Sequence, residues 1–217
     1  MIATVVEARH VEKSYGRRRV LMDVSFKAGR GELVGIVGEN GVGKTTLLEV
    51  LVGLSKPTRG SVSVEGRLGY CPQRCLVFDL LTVDENLDYF STAYGAGHGH
   101  ARADAADHRR GLARWLRFEQ NSGTRVSQLS AGTKQKINLA IALLHDPDVL
   151  ILDEPYSGFD WETYLLFWEF VVEARSQGKT IIIVSHLMYD QSRFDQVLTL
   201  KDGVLSKRGV QDCARPM

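Results

Sequence analysis

Cysteine is scarce in this sequence: 3 of 217 residues, at positions 71, 75 and 213. Three are too few for a disulfide framework, and Cys71 and Cys75 have no histidines at ligand spacing, so a zinc site is not expected. A reducing cytosol is the default compartment for such usage. His98 and His100 fall in a Gly-rich stretch without acidic or Cys partners and read as solvated side chains rather than a metal pair. Long apolar runs are also missing. None reaches the roughly 18 residues of a membrane helix, and IIIV at 181–184 suits a buried strand. The opening MIATVVEARHVEKSYG has no charged-then-apolar leader, so the chain is expected to be soluble by itself, with any membrane role reached through a partner. Charge of one sign is missing too. A net charge of +1 and a pI near 7.8 exclude a global basic field that recruits nucleic acid and the acidic excess of a disordered chain.

What is present is a balance of 44% hydrophobic and 24% charged residues, which suits one compact domain with a substantial core. Its most informative stretch is GENGVGKTT (38–46), which fits G-x-x-x-x-G-K-[ST] with Gly38, Gly43, Lys44 and Thr45 in the required places. Glycines at 38, 41 and 43 are expected to take φ > 0 and bring backbone N–H groups close to phosphate oxygens. Lys44 offers a point charge for β/γ-phosphates, and the Thr45 hydroxyl a ligand for Mg²⁺. A strand-like ELVGIV (32–37) precedes the loop and a helix-like TLLEVLVG (46–53) follows, so the phosphates would lie at a helix N-terminus. This is a nucleoside-triphosphate site.

The rest of the chain alternates. Residues 1–33 read as strands and hairpins, with apolar segments at 3–8 and 20–26, and Tyr15 in a turn as a half-buried packing residue. After the loop, strand-like SVSVEG (61–66) and RLGYCPQ (67–73) follow a Pro/Gly turn. Then the pattern becomes helical. Thr82 and Glu85 form a capping box opening a helix over 81–95, and helical material resumes after a small-residue loop and runs through ARWLRF (113–118). A helix over about 131–145, a strand DVLILDEP (148–155), a helix over 162–176, a strand at 181–186 and a hairpin turning at Asp202–Gly203 complete it. Strands alternating with helices predict an α/β fold with a mostly parallel sheet and its ligand at the C-terminal strand ends. In DVLILDEP the acids fall at such an end, placing Asp153 to bind Mg²⁺ and Glu154 to activate a water as general base.

At 129–133 the sequence reads LSAGT. With GENGVGKTT, Gln73 in YCPQ, VLILDEP (149–155), SGFD (157–160) and His186 in VSH, six motifs stand in one order, and the chain resembles the nucleotide-binding subunits of ATP-binding cassette (ABC) transporters over nearly its whole length. The resemblance implies a P-loop NTPase fold: a single domain over 1–217 with a RecA-like core and antiparallel β subdomain (about 1–73 and 129–217) and an inserted helical subdomain (about 74–128). It implies ATP and Mg²⁺ as cofactors. Gly38, Asn40, Gly41, Gly43, Lys44, Thr45 and Thr46 would hold the phosphates, and Tyr15 would stack on adenine rather than merely pack. Thr45, Gln73 and Asp153 would surround the ion. Glu154, His186 and Gln73 would carry hydrolysis. Two subunits would pair head to tail as a homodimer or with another cassette, so that Ser130 and Gly132 of one close over the ATP of the other, with Asp160 at the seam.

The departures are Ala131 and Thr133, where the family's common signature is LSGGQ, and Phe159 where Leu or Ala is usual. A positive φ at Ala131 would be strained, and Thr133 is shorter than Gln. Leu76, Val77, Phe78, Leu80 and Leu81 follow Gln73 where the family receives a helix of its membrane subunit, a helix-in-groove contact; packing within the lobe is the plainer reading of each. With no membrane segment and no further domain after residue 210, the expectation is an ATPase subunit on the cytoplasmic face, served by a separate transmembrane permease subunit, with export favoured over import. The alternative is a non-transport ABC ATPase acting in translation or DNA maintenance. No nucleic-acid partner is expected.

Overall fold

Two long strands, β1 (Thr4–Tyr15) and β2 (Arg18–Gly29), form an antiparallel hairpin in the computed structural model, which describes residues 3–95, 101–185 and 191–207, with 101–105 given by backbone alone. Register shifts at four points along β1 let both strands extend beyond their apolar segments to 12 residues each. Next, β3 (Leu33–Val37) enters the glycine-rich loop, α1 (Lys44–Leu51) leaves it, and β4 (Arg59–Val64) returns to pair with β1, giving an antiparallel sheet of order β2-β1-β4. A tight turn with Gly66 at φ 92 then carries the chain into β5 (Leu68–Cys71), which belongs to a different sheet.

Between β5 and the next strand the described chain is helical. The capping box forms as the sequence predicts: Thr82 Oγ1 accepts from Glu85 N at 3.2 Å and Glu85 Oε2 from Thr82 N at 2.7 Å, opening α2 (Val83–Ala93). A second helix, α3 (Ala101–Trp115), stops short of the expected 118, because Arg117 takes φ 56 and turns Leu116 and Phe118 fully into the core. α4 (Ala131–Leu143), β6 (Val149–Asp153), α5 (Trp161–Ser176) and β7 (Thr180–Ser185) follow, then β8 (Gln196–Lys201) and β9 (Val204–Lys207). Asp202 and Gly203 both have positive φ, 50° and 77°, as a two-residue hairpin turn requires.

The large sheet has the order β5-β6-β7-β3-β8-β9, parallel except for β9. Its central strands are apolar on both faces because both faces are covered. Ile181 and Ile183 of β7, with Leu150 and Leu152 of β6, pack among α2 to α5. Ile182 and Val184, with Val149 and Ile151, pack on the other side with α1 and the small sheet. Since β3, β6 and β7 are parallel, the chain leaves all three along one edge. The phosphate-loop motif, Glu154 and the Ser185 end of β7 therefore lie at neighbouring strand ends. Among the described residues, no helix is long and apolar enough to cross a membrane.

Candidate active site

The loop after β3 folds around its lysine. Lys44 is 8% exposed and its Nζ donates to the Gly38 and Glu39 carbonyls at 2.7 and 2.9 Å, leaving one of three N–H groups for an anion in the cleft. Gly43 is the N-cap of α1 at φ 112, with no side-chain cap, so the first N–H groups of the helix face the cleft without intrahelical partners. Gly41 also has positive φ, at 78°. Gly38 does not. It is glycine for room: a Cβ there would lie 2.4 Å from the Leu200 carbonyl oxygen.

Two strands away, β6 ends in the paired acids. Asp153 is 2% exposed, and burial raises its pKa although the Thr45 hydroxyl, donating to Oδ2 at 3.0 Å, works the other way. Glu154 is also buried and takes φ 52, a left-handed conformation that costs a non-glycine residue about 1–2 kcal/mol. Its N–H donates to Val184 O at 2.9 Å, and the Ser185 hydroxyl lies 3.4 Å from its Oε2. The strained turn is thus fixed to the end of β7.

A cleft of about 580 Å³ joins these groups. Tyr15, Asn40, Gly41, Gly43, Lys44, Thr45, Thr46, Gln73, Asp153 and Glu154 line it, ten residues singled out from the sequence. Arg18 and Val20 line it as well and were not foreseen. The hairpin register held the signal, since Arg18 is the cross-strand partner of Tyr15. Tyr15 is 49% exposed, with Lys13 Nζ 4.9 Å from its ring centroid. The β8–β9 turn braces this wall from behind, Gly203 O accepting from Met22 N at 2.7 Å.

The ABC transporter family matches residues 21–157, a span that contains the loop, Gln73, LSAGT and the paired acids. The chain belongs to that family. It is an ABC-type ATPase, an ATP-binding subunit of a transporter. It is 37% identical over 216 residues to the Nod factor export ATP-binding protein I of Burkholderia orbicola, covering 94% of this chain and 70% of that one. It is 34% identical over 205 residues to the ABC transporter ATP-binding protein NatA of Bacillus subtilis, covering 88% and 82%. A solved ATP-binding subunit of an ABC transporter superposes with TM-score 0.86 at 28% identity, over 96% of this chain and 91% of that one. A dimeric ATP-binding cassette in a post-hydrolysis state, bound to ADP and Pi, gives TM-score 0.82 at 27% identity, over 94% and 99%.

Other predicted residues of this ABC ATPase do not reach the cleft within one chain. Ser130 N-caps α4, accepting from Thr133 N at 3.1 Å, with Thr133 Oγ1 2.9 Å from its hydroxyl. Ala131 is the first residue of that helix and has no positive φ, so the anticipated strain does not arise. Gly132 touches the 156–160 loop so closely that a Cβ would lie 2.4 Å from Gly158 O. Asp160 N-caps α5 through Thr163 N at 2.8 Å and meets Lys136 Nζ at 3.2 Å; the Thr163 hydrogen bonds, chiefly, pull its pKa down to about 2. His186, His98, His100 and Cys213 lie outside the described residues. Among those described, Cys71 and Cys75 are free thiols and no group of three His, Cys, Asp or Glu side chains is arranged to hold a metal.

Leu76, Phe78 and Leu80 are exposed, whereas Val77 packs on the core and Leu81 is half-buried. They stand out because Asn86, fully buried on α2, pins their loop: Oδ1 accepts from Phe78 N at 2.7 Å, and Nδ2 donates to Phe78 O at 3.1 Å and Thr82 O at 2.9 Å. Sequence reasoning missed Asn86, which reads as an ordinary polar helix residue.

Proposed function

We propose that this subunit hydrolyses Mg·ATP in a head-to-tail dimer, with Glu154 as general base, and drives export through a separate transmembrane subunit at the cytoplasmic face of the membrane. The observation that carries the reading is the hydrogen bond from Thr45 to Asp153, which joins the phosphate loop to the strand end beside Glu154. These residues fit Mg²⁺: a hydroxyl and a buried carboxylate are hard oxygen donors, and Asp153, with its pKa raised by burial, is a group that a cation would stabilise. Gln73 on the cleft wall would complete the set. Bound there, the ion would neutralise charge on the β- and γ-phosphates.

The protein groups then have distinct roles. Lys44 and the uncapped N-terminus of α1 hold the phosphates, Tyr15 stacks on the adenine, and Arg18 adds positive charge to the same wall. Glu154 accepts a proton from the attacking water as the water oxygen bonds to the γ-phosphorus and the bond from that phosphorus to the β–γ bridging oxygen breaks, so that ADP leaves and phosphate is formed; Gln73 orients that water. His186, next in sequence after Ser185 whose hydroxyl lies by Glu154, would meet the γ-phosphate. Ser130 suits a ligand arriving on another chain. Its oxygen takes the Thr133 N–H, and with the Thr133 hydroxyl as donor of the 2.9 Å pair its own O–H is able to donate to phosphate at the N-terminus of α4. Gly132 and Asp160 would sit at the same seam.

The helical span of about 74–128 is read as the lobe that meets the membrane subunit, with Leu76, Phe78 and Leu80 as its apolar contact. Export is favoured because the relatives described above include a Nod factor export protein. Turnover of Glu154→Gln tests the reading. That variant should lose nearly all ATP hydrolysis, retain ATP binding and accumulate as a dimer on gel filtration. Wild-type turnover would remove the general-base assignment.

A further inference from the structure

We propose that Gln135, on α4, is a positioning residue for Glu154 and ties it to the segment that carries Gln73. The inference rests on the reading of Glu154 as general base. Gln135 is 5% exposed, and its Nε2 donates to two consecutive carbonyls, Glu154 O at 3.4 Å and Pro155 O at 3.3 Å. Its Oε1 accepts from the Cys75 thiol at 3.2 Å. The orientation of this amide is dictated by its surroundings. Only the NH₂ end can face two carbonyl oxygens, and only the oxygen can take the S–H.

The contact falls where the backbone is under strain. Glu154 holds φ 52, and a residue in that region persists only where its neighbours over-determine it. Its N–H is fixed by Val184 O, its C=O by Ser157 N at 3.1 Å together with Gln135, and the next C=O by Gln135. Relaxing Glu154 to a negative φ would swing these carbonyls off the amide and move the carboxylate relative to Thr45 and Asp153.

The same helix face holds the other side of the cleft. Asn138, one turn along α4, donates to Pro72 O at 2.8 Å and Cys71 Sγ at 3.3 Å, and accepts from Leu76 N at 3.2 Å. Gln135 and Asn138 therefore grip the chain before and after Gln73, while Gln135 alone also grips the turn at Glu154. A shift of α4, which Ser130 caps, would reach both residues together.

The test is steady-state ATP hydrolysis by the full chain across pH, with ATP affinity and thermal midpoint measured on the same preparations. Gln135→Leu keeps the volume and removes every hydrogen bond; Gln135→Glu keeps the shape and turns an acceptor towards the two carbonyls. Both should lower kcat by about ten- to a hundredfold, the scale of a misplaced catalytic group, with KM and ATP affinity within about twofold and Gln135→Glu the worse. In a Glu154→Gln background, Gln135→Leu should cause no further loss, since both act on one step. Cys75→Ala, which removes only the thiol donor, should lower kcat by about two- to fivefold, and Cys75→Ser should restore it; this pair decides the matter if the Gln135 variants do not fold.

Wild-type kcat in Gln135→Leu beside an inactive Glu154→Gln would overturn the positioning role and leave the base standing. Equal losses in kcat, affinity and thermal midpoint would reduce Gln135 to a packing residue. An active Glu154→Gln would sink the base reading whatever Gln135 does.

Discussion

Asn86 permits a quantitative prediction, because two of the three backbone groups it touches keep another hydrogen bond. When Asn86 is cut to Ala, Phe78 O keeps a hydrogen bond from Leu81 N at 3.1 Å and Thr82 O keeps the helical one from residue 86 N at 3.0 Å. Only Phe78 N–H is stranded, having lost its 2.7 Å bond to Oδ1. One stranded donor is worth about 1–3 kcal/mol, and the small cavity adds to it, so Asn86→Ala should destabilise the chain by about 2–3 kcal/mol. For a chain of this length that corresponds to a fall in Tm of roughly 4–12 °C. Asn86→Asp sharpens the test. Its carboxylate still accepts from Phe78 N but turns lone pairs on Phe78 O and Thr82 O, so at pH 7 it should be less stable than the Ala variant. It should recover as acid protonates the carboxyl and returns a donor. Thermal and urea unfolding of the three proteins at pH 7 and pH 5 measure this. If Asn86→Ala shifts Tm by less than about 2 °C, or if Asn86→Asp equals wild type at pH 7, the loop that presents Leu76, Phe78 and Leu80 is not held by this amide.

Tyr15→Ala should weaken ATP binding by about five- to a hundredfold, the scale of a base-stacking contact; calorimetry showing an unchanged Kd would return Tyr15 to simple packing. His145 should make the chain acid-sensitive. Its Nε2 sits 3.0 Å from Leu68 O and its buried Nδ1 has no hydrogen-bond partner among the described residues, and burial holds its pKa below the ordinary 6.5. The unfolded chain therefore binds the proton more readily, so stability is full above about pH 6.5 and falls as pH drops through the lower folded value. Unfolding curves between pH 7.5 and 5 should show that slope and His145→Gln should flatten it; equal slopes would show that another group carries the proton. Gly132→Ala sets a Cβ at 2.4 Å from the backbone oxygen of Gly158. It should abolish ATP-dependent dimerisation while leaving mononucleotide binding to the Lys44 cleft within about twofold, as light scattering and calorimetry would read; normal dimerisation would mean that the contact is not needed there.

What the sequence made legible follows from the range of each interaction. The phosphate loop, the capping box at Thr82 and the Asp202–Gly203 turn are local, since spacing alone places the groups that must meet. The strands were legible because a sheet buried on both faces demands continuous apolar runs such as Val149–Asp153. Helix α3 was overrun by three residues because Leu116 and Phe118 are apolar enough to continue a helix, and only their burial after the turn at Arg117 explains the stop. Gly38 was assigned the right residue for a reason that its geometry replaces, the approach of Leu200 O from a strand some 160 residues later in the chain. Arg18 needed only the hairpin register, so it was legible and overlooked.

Asn86, Gln135 and Asn138 are a different case. Each is an amide inside a helix, and a sequence shows a helix's polar residues in the same way whether they meet water or grip a loop. Gln135 and Asn138 lie three apart in KQKINLAIALL, on one helix face, which is a pattern that a solvated stripe would also give. What separates the two is a carbonyl on β6's outgoing turn and a thiol after β5, delivered by strands that are neighbours only in the sheet. Polar residues that face the core from a helix are therefore where this sequence conceals the hydrogen bonds that tie the segment of Gln73 to the turn at Glu154.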